Sequence, residues 1–214
     1  HSPTYMEKPP PGNYADLTNF RTQDKIYLRG YKETINITQR GGGTARWRRI
    51  AFSTHGRYIF NGSIANKLYS YNNVRGYVRT VSEANQAMKD NMLNVLFRGT
   101  EGEDWVNIYN AKVDPLRVKI HYDRTFNLNP GNGEGNLSQK KFWLPINKNF
   151  YYDDDESGDF ETESGLCVES GAGMGNLFIV DFIYVNPNPQ GAGPSGAPFG
   201  LVFDPQGTIY WHER

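Results

Sequence analysis

Residues Lys25–Gln39 read KIYLRGYKETINITQ, and from Tyr31 onward Tyr31, Glu33, Ile35 and Ile37 alternate with Lys32, Thr34, Asn36 and Thr38. A period of two over so long a stretch fits only an extended chain with one face buried. The pattern therefore demands a sheet with a second layer to bury that face. After a Gly41–Gly42–Gly43 turn, RWRRIAFS (Arg46–Ser53) predicts a second strand. Further strands are expected at RYIF (Arg57–Phe60), Trp105–Val113, Leu116–Leu128, Lys140–Tyr152, Asn176–Val185, Gly200–Asp204 and Thr208–Glu213. In Leu116–Leu128 the residues Val118, Ile120 and Tyr122 alternate with charged neighbours, whereas NLFIVDFIYV (Asn176–Val185) is nearly all apolar, so both its faces are expected to be buried. Pro145 marks an edge or a bulge.

Helix is expected once. Thr80 with Glu83 has the T-x-x-E form of a capping box, and Ala84, Ala87, Met88, Met92, Val95 and Leu96 recur at helical spacing up to Phe97. This reads as a short helix covering a sheet. Stretches rich in Gly, Asn and Pro, at 61–77, 129–136 and 186–198, predict loops. With 23 Gly, 12 Pro and 14% aromatic residues, the chain is expected to be all-β, as a two-sheet antiparallel sandwich such as a jelly roll. The Pro-rich residues 1–24 read as an extended N-terminal arm, and 25–214 as one domain. The lone Cys167 reads as a small buried apolar residue, and no apolar run reaches the length of a membrane span.

The 214 residues hold 23 basic and 23 acidic side chains, but the balance is an average over unlike parts. Residues 1–149 carry 22 of the basic residues against 12 acidic ones, and residues 150–214 carry one against 11. The basic excess lies in 21–79, with 12 Lys and Arg against Asp24 and Glu33. Zero net charge thus does not exclude nucleic acid. Arg40, Arg46, Arg48, Arg49 and Arg57, with Trp47 among them, are the candidate DNA-facing residues. Guanidinium groups pair with phosphates and aromatic faces stack on unpaired bases. Strand alternation puts Arg46 and Arg48 on one face and Trp47 and Arg49 on the other.

The acidic block Asp153, Asp154, Asp155 and Glu156 has four readings: a cation site, a catalytic carboxylate pair, a solvated loop, or a contact with the basic surface of another copy. The contact between copies makes these four the candidate interface residues. His1, His55, His121 and His212 show no metal-ligand spacing, no nucleophile elbow or Walker loop is present, and GAGMG (Gly171–Gly175) precedes a strand rather than a helix. No enzyme, metal or cofactor is expected from these motifs.

Seven stretches in order carry a resemblance: LRGYKETINI (Leu28–Ile37), RWRRIAF (Arg46–Phe52), LFRGTEGEDW (Leu96–Trp105), VKIHYDRTF (Val118–Phe126), FWLPINKNFYYDDDESGD (Phe142–Asp159), GAGMGNLFIVDF (Gly171–Phe182) and IYWHER (Ile209–Arg214). Together they resemble the capsid proteins of genomoviruses and, more distantly, the coat proteins of geminiviruses. The resemblance implies an eight-stranded jelly roll that assembles with copies of itself into a small icosahedral shell around circular single-stranded DNA. It also implies no enzymatic activity, no cofactor and no membrane, and a place in the virion with assembly in the host nucleus. It implies a basic arm ahead of the jelly roll, and here His1–Phe20 departs from the pattern, with Lys8 as its one cation. Two other classes fit the residues: a carbohydrate- or metal-binding jelly-roll module, and a jelly-roll enzyme using paired carboxylates.

Overall fold

A computed structural model describes residues 1–6, 21–56, 69–72, 76–79, 81, 83–129, 135–186 and 200–213. Its elements are β1 (Lys25–Arg40), β2 (Thr44–Thr54), β3 (Tyr69–Asn72), β4 (Gly76–Arg79), α1 (Gln86–Leu96), β5 (Lys119–Leu128), β6 (Gly135–Tyr151), β7 (Asp155–Ser157), β8 (Phe160–Thr162), β9 (Asn176–Asn186) and β10 (Gly200–Glu213). The protein is mostly β, and all the strand pairs among the described residues are antiparallel. Two three-stranded sheets, in the orders β10-β1-β6 and β5-β2-β9, form the body, and β3–β4 and β7–β8 are separate hairpins.

The sheets stack with their inner faces together. β1 turns Ile26, Leu28, Tyr31, Ile35 and Ile37 inward, and each is at most 5% exposed. β2 answers with Ala45, Trp47 and Ala51, also buried. Trp47 stacks on Phe126 of β5 at 4.8 Å between ring centroids, and meets Phe142 of β6 and Phe203 of β10 edge-on at 5.9 and 5.6 Å. One indole thus binds three strands from both sheets. The other face of β2 is also covered, because Ile50 and Phe52 pack with Leu96 and Phe97 at the end of α1, with Ala111 and Val118, and with Phe178 of β9.

The alternation read from Lys25–Gln39 is therefore correct in phase, with one local shift. Register slips between Leu28 and Gly30 against both neighbouring strands. Pro145, which has no N–H to give, lies opposite Gly30 on the edge strand β6, where such a residue is tolerated. A Cβ on Gly30 would lie 2.6 Å from Leu144 O and 2.7 Å from the Trp143 ring, so glycine here lets that ring lie across the backbone.

Several expectations are corrected. The helix starts at Asn85, whose side chain accepts the Met88 N–H at 2.9 Å; Glu83 pairs with Lys89, and Thr80 of the expected capping box lies outside the described residues. Asparagine at that position satisfies a free N–H of the first turn directly. Trp105–Val113 is not a strand: Asn107 accepts the Tyr109 N–H through its side chain and the Asn110 N–H through its carbonyl, so the segment turns. Only Trp105 and Val113 make isolated bridges there. β9 is buried on both faces only over Asn176–Ile179, and Tyr184 and Val185 are exposed. Gly200–Asp204 and Thr208–Glu213 join into the single strand β10 through Pro205, again on a sheet edge. Arg57–Phe60 lies outside the described residues.

Residues 1–6 belong to the body rather than to a separate arm. Ser2, Thr4 and Met6 are buried. They run beside β9, where Ile179 N–H donates to His1 O at 2.8 Å, Leu177 N–H donates to Thr4 Oγ1 at 2.9 Å, and Ser2 Oγ donates to Leu177 O at 2.9 Å.

Candidate nucleic-acid interface

The arginine cluster does not form one surface. Trp47 is fully buried, and its Nε1–H donates to Asp181 Oδ1 at 2.7 Å. Arg49 is 2% exposed and points between the sheets, bonding Glu33 Oε2, with Asp181 at 3.7 Å and the Phe142 ring 4.8 Å from its guanidinium carbon. Tyr31 donates its hydroxyl to Glu33 Oε1 at 2.9 Å. Burial pushes the Glu33 carboxyl above its ordinary range, against the opposing pull of Arg49 and of the Tyr31 hydrogen bond.

Arg48 points to the helix side of the same strand. It grips Asp123 with two hydrogen bonds of 2.9 and 2.7 Å and donates to Ala111 O at 2.9 Å. Trp47, Arg48 and Arg49 are thus corrected from DNA-facing to internal residues: each is spent on a carboxylate inside its own chain, and none presents a free donor outward. Arg46 is exposed beside Asn127 and over the Tyr109 ring, and Arg40 is exposed at the end of β1. Arg57 lies outside the described residues.

The acidic block divides in the same way. Asp154 is corrected from an interface candidate to an internal one. Its side chain is 1% exposed and binds buried Arg21 through two bonds of 2.6 and 2.8 Å, while its Oδ1 also accepts Ser164 N–H at 2.8 Å. Asp153 is partly buried, with its N–H donated to Leu166 O. Asp155 and Glu156 are exposed on β7. Among the described residues no three His, Cys, Asp or Glu side chains are grouped to hold a metal ion.

The residues that do make an open surface lie on the outer face of sheet β10-β1-β6. Whereas α1 and the segment after it pack on the outer face of the other sheet, this one is uncovered among the described residues. Register aligns Lys32 with Trp143 and Thr208, Thr34 with Lys141, Gly30 with Tyr210, and Tyr27 with His212. Trp143 is 51% and Tyr210 43% exposed, with their rings 5.8 Å apart. Tyr27 and His212 stack at 6.5 Å, and Lys25 lies over Tyr151. Lys25, Arg29, Lys32, Arg40 and Lys141 are exposed along the strands of this face, and among the described residues Asp204 is the one exposed carboxylate on it.

Chemically, this is a row of cations interleaved with aromatic planes. It was legible only in half: Lys32, Thr34, Asn36 and Thr38 are the polar side of the alternation, but Trp143 and Tyr210 join them through strand register alone. No model of a known protein family matches the chain, and a comparison with curated proteins finds no match either. Among the described residues no helix is long and apolar enough to cross a membrane.

Proposed function

We propose that the chain is the structural capsid protein of a single-stranded DNA virus, assembling with copies of itself around the genome. The observation that carries this reading is the uncovered face of β10-β1-β6, where five exposed cations are spread along the strands that carry the Trp143–Tyr210 pair. Cations in a row neutralise a phosphate backbone and release its counterions, and exposed aromatic planes stack on unpaired bases whatever their sequence. Duplex DNA offers no such bases, so the preference is for single strands.

The topology supports a jelly roll. β1 and β2, β5 and β6, and β9 and β10 are three pairs of successive strands, and each pair is split between the sheets at matching positions. Residues 1–6 take a fourth position beside β9, giving the β5-β2-β9 layer the width such a fold requires. The resemblance across the seven stretches points the same way, and exposed Asp155 and Glu156 are the part of the acidic block left for contact with a basic surface of a neighbouring copy.

The test is fluorescence anisotropy with a labelled oligothymidine. Trp143→Ala is expected to weaken binding by about 1–3 kcal/mol, the worth of one base–aromatic stack. Replacing Lys32 and Lys141 together with Ala should flatten the dependence of log K on log salt by roughly 1.4, at about 0.7 per phosphate contact. Binding and salt slope unchanged in both variants would remove this face from the genome interface. Retention on a sugar column that depends on Trp143 would favour the carbohydrate-binding module instead.

A further inference from the structure

Where β2 ends and β5 begins, a cavity of about 370 Å³ is lined by Ser53, Thr54, His55, Arg117, Lys119 and Met174, among others, with no carboxylate among its described lining residues. It lies on a different part of the molecule from the β10-β1-β6 face. Ser53 is only 3% exposed, and its Oγ is 2.9 Å from His121 Nε2. A bulge in β5 at this point, marked by the register shift between Ala51 and Phe52, turns His121 to the Ser53 side.

The opposite sheet brings a second amine beside Lys119, next to the cavity rather than in its lining. Lys148 of β6 lies opposite inward-facing Leu28, so it reaches toward β5 at the mouth of the sandwich. There it meets the Lys119 side chain head to head, and that contact, followed by the charge of Lys119, holds Lys148 below the usual lysine range. Burial first, then Lys119 and Lys148, pushes His121 down to about 4. Arg117 does not contribute a free charge, because its guanidinium is engaged by Asp114 at 3.4 Å and by Asn94 O. Two ammonium groups crowd a neutral imidazole and a buried hydroxyl, and no acid in the lining relieves them. An anion with several acceptor oxygens completes such an arrangement.

We infer that this cavity is a phosphate-binding site, with Lys119 and Lys148 clasping the anion and the Ser53 hydroxyl donating to it. With the cavity empty, neutral His121 accepts the Ser53 proton through Nε2. When a phosphate oxygen arrives, His121 takes a proton from solvent, its Nε2–H turns to donate to Ser53 Oγ, and the Ser53 hydroxyl is freed for the anion. Binding therefore carries a signature in the ring that other roles for these lysines do not produce. The imidazole pKa rises as phosphate fills the site.

The experiment is an NMR titration of the His121 ring in the intact protein with inorganic phosphate. The expected result is a saturable shift with the His121 pKa displaced upward. Lys148→Ala should weaken binding about tenfold, and Lys119→Ala with Lys148→Ala more than that, each charge-assisted contact being worth about one factor of ten or more. The dispersion of the amide spectrum shows that the double variant is folded, and without phosphate its His121 should titrate above the parent's but, still buried, below an ordinary histidine. Lys141→Ala and Trp143→Ala should leave the titration unchanged, so the result is independent of the genome face. Competition by an oligothymidine would identify the phosphate as that of the strand, and its absence a free phosphate. No shift, a shift that never saturates, or one retained in the double variant overturns the proposal.

Discussion

Asp154→Ala is expected to destabilise the protein by about 3–5 kcal/mol, the cost of leaving one member of a buried ion pair without its partner. Arg21 is fully buried and uses its whole fork: Nε donates to Met6 O at 2.9 Å, Nη1 to Gln23 O and Asp154 Oδ2, and Nη2 to Asp154 Oδ1 and Ser164 O. Its guanidinium carbon lies 3.7 Å from the centroid of the Tyr152 ring. One side chain thus joins residues 1–6, the lead-in to β1, the end of β6 and the loop after β8. Removing the carboxylate leaves a cation in a site where water cannot replace two of its hydrogen bonds. Asp155→Ala, three-dimensionally close but exposed, should stay within about 0.5 kcal/mol of the parent. Denaturant midpoints at constant slope distinguish the two, and equal midpoints would show that Asp154 does not hold Arg21 in solution.

The second large effect is expected at Arg49. Arg49→Met keeps most of the volume between the sheets but removes the guanidinium that Glu33 and Asp181 share, leaving only His1 near them. The loss is again about 3–5 kcal/mol at neutral pH. Its pH dependence has a definite sign. Burial already raises Glu33 above its ordinary 4.5, and Arg49 is the largest influence pulling it back. Without Arg49 the folded-state value rises further. A carboxyl raised on folding contributes stability that is fully present below its unfolded value and lost as pH rises through its folded value. The deficit of Arg49→Met should therefore shrink as pH falls toward about 4 and widen toward neutrality. Adding Glu33→Gln should recover part of it, because the amide keeps a partner for Tyr31 while removing the uncompensated charge. A deficit independent of pH, or no recovery in the double variant, would mean that lost packing and not charge sets the cost.

These two sites show how much the sequence disclosed. The period-two pattern of β1 identified Tyr31, Glu33, Ile35 and Ile37 as one face, and all four are inward. A carboxylate in that set required a buried cation, and the alternation of β2 already set Arg49 beside Trp47 and away from Arg46 and Arg48. The missing step was which face of β2 looks at β1. That depends on stacking two sheets, which no local pattern states. Asp153, Asp154, Asp155 and Glu156 are alike in composition, and only the position of Arg21, 133 residues away in sequence from Asp154, selects Asp154 for burial. The basic excess of residues 21–79 drew attention to Arg46–Arg49, but two of its three arginines proved to be internal. The open face instead combines Lys32 with Trp143 and Tyr210, brought together by β1 pairing with β6 on one side and β10 on the other. The helix was legible in its apolar stripe and misplaced at its start, because the cap is Asn85, whose side chain holds the N–H of Met88.

Electron microscopy of the purified protein, combined with nuclease treatment, tests the capsid reading most directly. Uniform closed shells containing nuclease-protected single-stranded DNA are the expected result. Monomers at every salt concentration, with no protected nucleic acid, would contradict it.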